Sequence, residues 1–264
     1  MSSLTISLIQ SNLYWEDKER NLQQFADKIA GLPASSQVVV LPEMFSTGFS
    51  MQPETFAETM DGTTVAWLRQ TAKANRKIIT GSMIVAEDGQ YYNRLIWMQP
   101  DGTCYHYDKR HLFGFAGEDR HYTAGDKRLI VRVNGWKLCL QVCYDLRFPV
   151  WARQKGTPDS TDGLYDILLY VANWPQRRSL PWKTLLQARA IENQAYVIGV
   201  NRVGNDGNDI YHSGDSSLID PLGNIIWQQA DEEAVYTHTL RKEDLEQVRS
   251  QFPFLNDADP FMIL

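Results

Sequence analysis

Short runs of β-branched and apolar residues alternate along this chain with stretches whose apolar residues return every three or four positions, and that interleaving admits few folds. The opening segment, residues 1–10, alternates apolar and polar side chains and has no basic region, which fits a first strand and not a signal peptide. Leu22, Phe25, Ala26 and Ile29 follow at helical spacing, and Gly31 and Pro33 end that helix. A strand over 38–41 and a helix carrying Val65, Leu68 and Ala72 come next. Strands over 77–85 and 92–98 are joined by Glu87-Asp88-Gly89, and strands over 129–133 and 137–142 flank Asn134-Gly135, a strong hairpin signal. A helix starting near Pro149, a strand over 167–171, a helix over 182–193 and a strand over 195–201 continue the alternation. The end reads as more antiparallel, with strands over 216–219, 225–227 and 234–240 and a charged helix over 242–251. This pattern predicts an α/β fold of mixed sheets covered by helices.

Nothing in the composition divides the chain. Its 264 residues are 43% hydrophobic, enough for one full core, and no shift in composition marks a linker, so residues 1–264 are read as a single domain. The formal charge of −6 and the absence of a basic run argue against nucleic acid and anionic membranes as partners. No apolar run approaches the roughly 18 residues of a membrane span. Three cysteines do not make a disulfide framework and suit the reducing cytoplasm. A small soluble substrate is the expected partner.

Three residues capable of chemistry stand at the ends of strand-like runs. Cys143 lies where the apolar run 138–142 gives way to Tyr144-Asp145-Leu146-Arg147-Phe148-Pro149, a corner where a thiol can be exposed on a rigid backbone and a following helix can direct N–H groups at an anion. Glu43 ends the run 38–43, and Lys109 follows the strand-like Tyr105-His106-Tyr107. A cysteine attacks a carbonyl carbon as thiolate, so one group must take its proton and another must hold the developing oxyanion. Glu43 suits the first task and Lys109 the second. Each also has an ordinary reading on its own: Cys143 as a small core residue, Glu43 as a solvated loop carboxylate, Lys109 as a surface lysine. Cys139, in mid-strand, reads as core.

Other chemistries lack their signatures. Cys139 and Cys143 have no second ligand pair at zinc-site spacing, and His106, His111 and His121 read as loop residues around Lys109. No Gly-x-Ser-x-Gly, Gly-x-x-x-x-Gly-Lys or Gly-x-Gly-x-x-Gly occurs. The expectation is a reaction with no metal and no cofactor.

Taken together, Leu41-Pro42-Glu43-Met44-Phe45, Tyr107-Asp108-Lys109-Arg110-His111-Leu112-Phe113 and Val142-Cys143-Tyr144-Asp145-Leu146-Arg147-Phe148-Pro149 resemble the nitrilase superfamily of carbon-nitrogen hydrolases and its Glu-Lys-Cys triad. The resemblance continues through Ala172-Asn173-Trp174-Pro175 and 188–194, so it covers almost the whole chain. Asn173-Trp174-Pro175, Arg178-Ser179, Asn201-Arg202-Val203-Gly204 and Asp257-Ala258-Asp259 look like the bacterial omega-amidase branch, which hydrolyses the terminal amide of 2-oxoglutaramate to 2-oxoglutarate and ammonia.

What the resemblance implies is a four-layer αββα sandwich that pairs as a homodimer into a larger sandwich. The aromatic tail at about 252–264 is expected to pack on the partner. The resemblance also implies a second glutamate beside the lysine, Glu118, with Asp119 as the alternative assignment. In the implied mechanism Glu43 is general base and then acid, Cys143 is the nucleophile, Lys109 and the Tyr144 N–H hold the oxyanion, and Glu118 orients Lys109. A dicarboxylic monoamide needs a cation or several N–H donors for its free carboxylate. Arg178 and Arg147 are the candidates, although Arg147 could instead pair with a nearby carboxylate, while Phe115, Tyr144 and Trp174 would form apolar walls. Hydrolysis of N-carbamoyl amines or deaminated-peptide amides uses the same triad and stays open, as does a non-catalytic scaffold of this fold.

Overall fold

The computed structural model describes residues 2–154, 164–259, 261 and 263. Within them the chain forms strands β1 (Ser3–Gln10), β2 (Val38–Val40), β3 (Ile78–Glu87), β4 (Gln90–Met98), β5 (Cys104–Asp108), β6 (Leu129–Val133), β7 (Trp136–Val142), β8 (Ile167–Val171), β9 (Tyr196–Val200), β10 (Val203–Asn205), β11 (Tyr211–Ile219), β12 (Ile225–Ala230) and β13 (Ala234–Arg241). The helices are α1 (Lys18–Ala30), α2 (Pro53–Phe56), α3 (Thr63–Asn75), α4 (Glu118–His121), α5 (Pro149–Ala152), α6 (Ser179–Asn193) and α7 (Lys242–Gln251), of which α2, α4 and α5 are single turns.

The strands make two mixed sheets. One runs β13-β1-β2-β3-β4-β5, and the other runs β10-β11-β9-β8-β7-β6 with β12 added on β11. The period of two along each strand sorts side chains between layers. In the first sheet Leu4, Ile6, Leu8, Val38, Val40, Leu95 and Trp97 join one core with Leu138, Leu140, Leu168 and Ile198 of the second. Their neighbours Ile9, Val39, Leu41, Ile79, Ile96 and Met98 belong to a separate core with Leu22, Phe25 and Ile29 of α1 and Val65, Leu68 and Ala72 of α3. Trp182, Leu186 and Ala190 of α6 close the opposite side, so close to β9 that a Cβ on Gly199 would lie 2.7 Å from Leu186. The result is the four-layer αββα sandwich that the resemblance implies.

Parallel pairing decides what meets at one edge. Leu8 aligns with Val40 and Val40 with Thr80 in the first sheet, and Val142 aligns with Val171 and Val171 with Val200 in the second. The segments leaving β2, β7, β8 and β9 therefore emerge together, at the carboxyl ends where crevices form in such sheets. Both short hairpins follow their turn chemistry: Asp88 and Gly89 have φ of 51° and 74°, and Asn134 and Gly135 have φ of 47° and 78°.

Three readings need correction. The strand expected over 38–41, in a strand-like run that ends at Glu43, stops at Val40, because Pro42 has no N–H to donate and the chain turns at 43–47. The helix expected after the nucleophile is reduced to a 3-10 turn, Cys143–Arg147, followed by the single turn α5, so no long helix dipole points at Cys143. Helix α6 begins at Ser179, upstream of the expected residue 182, because Pro181 is tolerated in a first turn. In the tail, Leu255 is buried and Phe254 exposed, while Pro260, Met262 and Leu264 lie outside the described residues.

The turn carrying Glu43 is seated on β3. Met44 N donates to Ser82 Oγ at 2.8 Å and Phe45 N to Ser82 O at 3.0 Å. A Cβ on Gly81 would meet Leu41 Cβ at 2.8 Å and Phe45 Cδ1 at 3.0 Å. The Gly81→Ala variant is therefore expected to lose roughly 1–3 kcal/mol of stability, as overpacked cores do, and urea unfolding of the two proteins measures it.

Candidate active site

Lys109 follows β5 and is held to β4 by its own backbone, its N–H donating to Asn93 O at 3.0 Å. Its side chain is fully buried, as are Glu43 and Glu118. Lys109 Nζ donates to Glu43 Oε1 at 3.0 Å and to Glu118 Oε1 and Oε2 at 3.0 and 2.8 Å. Burial alone would weaken the ammonium, but the carboxylates of Glu118 and Glu43 more than reverse that and hold its proton affinity above the ordinary lysine range. Burial pushes the Glu118 carboxyl up against the pull of Lys109. Glu118 also accepts the Phe113 N–H at 2.6 Å, which fixes the loop after Lys109. Asp119, the alternative assignment, is exposed.

Glu43 is gripped from the second sheet. The Asn173 N–H donates to Glu43 Oε2 at 2.7 Å, and Asn173 Nδ2 donates to the Glu43 carbonyl at 2.5 Å. Cys143 stands at the end of β7 with φ of 46°, a left-handed conformation that a non-glycine residue adopts only when its surroundings impose it. Burial pushes its thiol well above the usual cysteine range, and Glu43, to which it hydrogen-bonds, pushes it further, while Lys109 pulls the other way. The resting thiol is thus protonated, with its base already in contact.

A second polar network ties the lysine loop to the nucleophile turn. Asp145 Oδ1 accepts the His111 N–H at 2.9 Å and lies 2.8 Å from His111 Nδ1, and Oδ2 accepts the Tyr107 hydroxyl at 2.8 Å and the Val142 N–H at 3.0 Å. The His111 ring stacks on Phe148 with centroids 3.7 Å apart. Asp145 is therefore spoken for, and Arg147 does not pair with it: Arg147 lies over the Trp174 ring at 5.1 Å. His111 takes the hydrogen-bonded loop role expected of it.

Cys143 opens into a cavity of about 250 Å³. Phe49, Phe113, Tyr144 and Trp174 supply its apolar lining, and Phe115, 82% exposed, stands at its mouth. Arg147, Arg177 and Arg178 all line it, and no carboxylate lies within salt-bridge distance of any of them among the described residues. Arg178 lies over the Phe113 ring at 4.9 Å. Its burial, and after that the repulsion of Arg177, lower its proton affinity. The Tyr144 N–H belongs to the first turn of the 3-10 helix, where N–H groups have no upstream carbonyl within the helix. Among the described residues no group of His, Cys, Asp and Glu has the arrangement of a metal site.

All nine site residues expected from sequence converge here. Six others of the lining were missed, Phe49, Ala116, Arg177, Asp206, Ile210 and His212, and so was Asn93 behind it. Arg177 adjoins Arg178 and was legible as a pair of cations. Asp206, Ile210 and His212 come from the β10–β11 hairpin, whose first strand is only three residues long and carried no pattern.

The fold and this Glu-Lys-Cys cluster define a hydrolase of carbon-nitrogen bonds, and the chain belongs to the carbon-nitrogen hydrolase family, whose model matches residues 5–250. It is 44% identical to omega-amidase YafV of Yersinia enterocolitica, covering 100% of both chains, and 30% identical to the 2-oxoglutaramate amidase of Bacillus subtilis, covering 96% of each. The crystal structure of XC1258 from Xanthomonas campestris, a CN-hydrolase superfamily protein with an arsenic adduct in its active site, superimposes with a TM-score of 0.97 at 44% identity over 100% of both chains.

His212 on the cavity wall is buried, and burial lowers its proton affinity to about 4. An unfolded histidine takes up its proton near pH 6.5, so the folded state gives up stability as the pH falls from about 6.5 towards 4. The loss is expected to reach up to about 3 kcal/mol. Urea unfolding at pH 7.0 and 4.5 should show it, and the His212→Gln variant should show a smaller pH dependence.

Proposed function

We propose that this chain is an omega-amidase that removes the terminal amide nitrogen of 2-oxoglutaramate and of similar dicarboxylic monoamides such as succinamate. The observation that carries this is the placement, in one cavity, of Cys143 and three arginines, Arg147, Arg177 and Arg178, none of which pairs with a carboxylate among the described residues. Arg147 and Arg178 are half-buried and Arg177 is exposed, so a substrate carboxylate entering the cavity supplies a guanidinium with an opposite charge and two parallel hydrogen bonds. The relatives named above as omega-amidase and 2-oxoglutaramate amidase support the same substrate.

The reaction follows from the geometry. Glu43 takes the thiol proton as Cys143 Sγ bonds to the amide carbon, and the carbonyl π electrons move onto oxygen. Lys109 Nζ and the Tyr144 N–H stabilise that oxyanion. Glu43 returns the proton to the departing nitrogen, the C–N bond breaks, and ammonia leaves a thioester on Cys143. A water then gives its proton to Glu43 as its oxygen attacks the thioester carbon. As that intermediate collapses the C–S bond breaks, Glu43 returns its proton to Cys143 Sγ to restore the thiol, and the product leaves as a carboxylic acid that ionises in solvent. Glu118 keeps Lys109 aimed throughout. No step calls for a metal or cofactor.

The protein is proposed to act in the cytoplasm, where its three unpaired cysteines stay reduced, and no helix among the described residues is long and apolar enough to cross a membrane. It is proposed to pair as a homodimer through helical faces. Leu180 and Ile191, on one stripe of α6, are 74% and 55% exposed, which favours such a contact.

Ammonia release from 2-oxoglutaramate, succinamate, glutamine, an N-carbamoyl amine and a simple nitrile tests the assignment. The highest kcat/KM is expected on 2-oxoglutaramate, with none from Cys143→Ala. A higher value on another member of the panel would replace the substrate. The Arg178→Gln variant should raise KM for succinamate about 10- to 100-fold, the worth of a charge-assisted hydrogen bond, while leaving a neutral aliphatic amide within about threefold. Equal effects on both would remove the carboxylate anchor.

A further inference from the structure

Asn93 lies on β4, one residue before Arg94 and opposite Ile84 of β3, and its side chain is fully buried. Its Nδ2 donates to Glu43 Oε1 at 2.8 Å and to Glu118 Oε1 at 3.1 Å. One neutral amide group thus spends both of its protons on the two carboxylates that hold Lys109. Its Oδ1 has no hydrogen-bond partner although it is buried. The orientation is dictated by charge, since turning the amide over would set an oxygen dipole against both anions. A buried acceptor left unpaired costs roughly 1–3 kcal/mol, so packing alone would not favour this residue over an apolar one of similar size.

We infer that Asn93 is a positioning residue of the hydrolysis: it keeps the Glu43 and Glu118 carboxylates ionised and apart around Lys109, and so keeps Glu43 ready to take the Cys143 proton. Lys109 brings one positive charge to two buried carboxylates, leaving the cluster with a net negative charge before the thiol ionises. The two Nδ2 hydrogens are the extra donors that make this arrangement tolerable for carboxylates buried away from bulk solvent. Without them, the cluster lowers its charge by binding a proton, and a protonated Glu43 cannot act as base. The charged or titratable groups facing the pair are Lys109 and Cys143, with Tyr122 at longer range; the Tyr122 hydroxyl is engaged with Ser50 O at 2.6 Å. The inference rests on the Glu43-Lys109-Cys143 reading and not on the identity of the amide.

Two readouts separate this role from a structural one: the pH profile of hydrolysis, and the pH profile of Cys143 alkylation by iodoacetamide, which needs no substrate. In Asn93→Asp, which preserves shape, kcat is expected to fall about a hundredfold, the scale of a lost general base, with KM within about threefold. The acid limbs of both profiles should move up by at least one pH unit. Asn93→Ser, smaller and uncharged, should show the same direction of shift with a smaller loss, so the test survives if the aspartate variant does not fold. Both variants retaining the wild-type acid limb in the alkylation profile, whatever their thermal stability, would overturn the inference. Absence of wild-type hydrolysis of 2-oxoglutaramate would overturn only the substrate, because the alkylation profile still reports on Asn93.

Discussion

The structure turns on one ammonium group removed from water between two carboxylates. Taking three charges into a protein interior costs several kcal/mol per ion, and the attraction among them offsets this only when the geometry is close and the remaining lone pairs are satisfied. Here Lys109 meets both carboxylates within 3.0 Å, the Asn173 N–H donates to the remaining oxygen, Glu43 Oε2, and the Phe113 N–H and the Asn93 amide donate to further lone pairs of the oxygens that Lys109 contacts. A fold does not need such a cluster for stability. A cysteine that must lose its proton in a buried site does need a base beside it and a cation that remains charged while the oxyanion forms.

The double sheet supplies the rigidity. Glu43, Lys109 and Asn93 come from one sheet, Cys143 and Asn173 from the other, and the catalytic distances are set by how the two sheets face each other. Hydrogen bonds cross between them at the site itself, from Asn173 to Glu43 and from Tyr107 and His111 to Asp145. The strained backbone at Cys143 is tolerated because this network and the β7–β8 pairing fix both sides of it. Three guanidiniums stand on the wall of the cavity into which Cys143 opens.

Much of this was legible in the residues. The strands around Asp88-Gly89 and Asn134-Gly135 could be read because turn chemistry and period-two patterning agree there, and helix α7 could be read from its charged face. The triad was legible only as three segments together, since each of Glu43, Lys109 and Cys143 has a commoner role by itself. Burial was not legible: Lys109 sits among His, Asp and Arg in sequence, and only the pairing of β5 with β4 and the return of Glu118 enclose it. Asn93 escaped notice for the same reason, as a polar residue in an aromatic strand whose partners are 50 and 25 residues away. The short 3-10 turn after Cys143 was read as a longer helix because Pro149 is a good first-turn residue whatever the length that follows.

In the proposed reaction Cys143 becomes acylated with loss of ammonia while the Glu43-Lys109-Glu118 cluster holds the charge. Acid-quenching the enzyme during turnover of 2-oxoglutaramate, followed by intact-mass analysis and peptide mapping, tests it most directly. An adduct equal to the substrate less ammonia is expected on the peptide containing Cys143, and none in Cys143→Ala. An adduct on Cys104 or Cys139, or turnover that persists in Cys143→Ala, would contradict it.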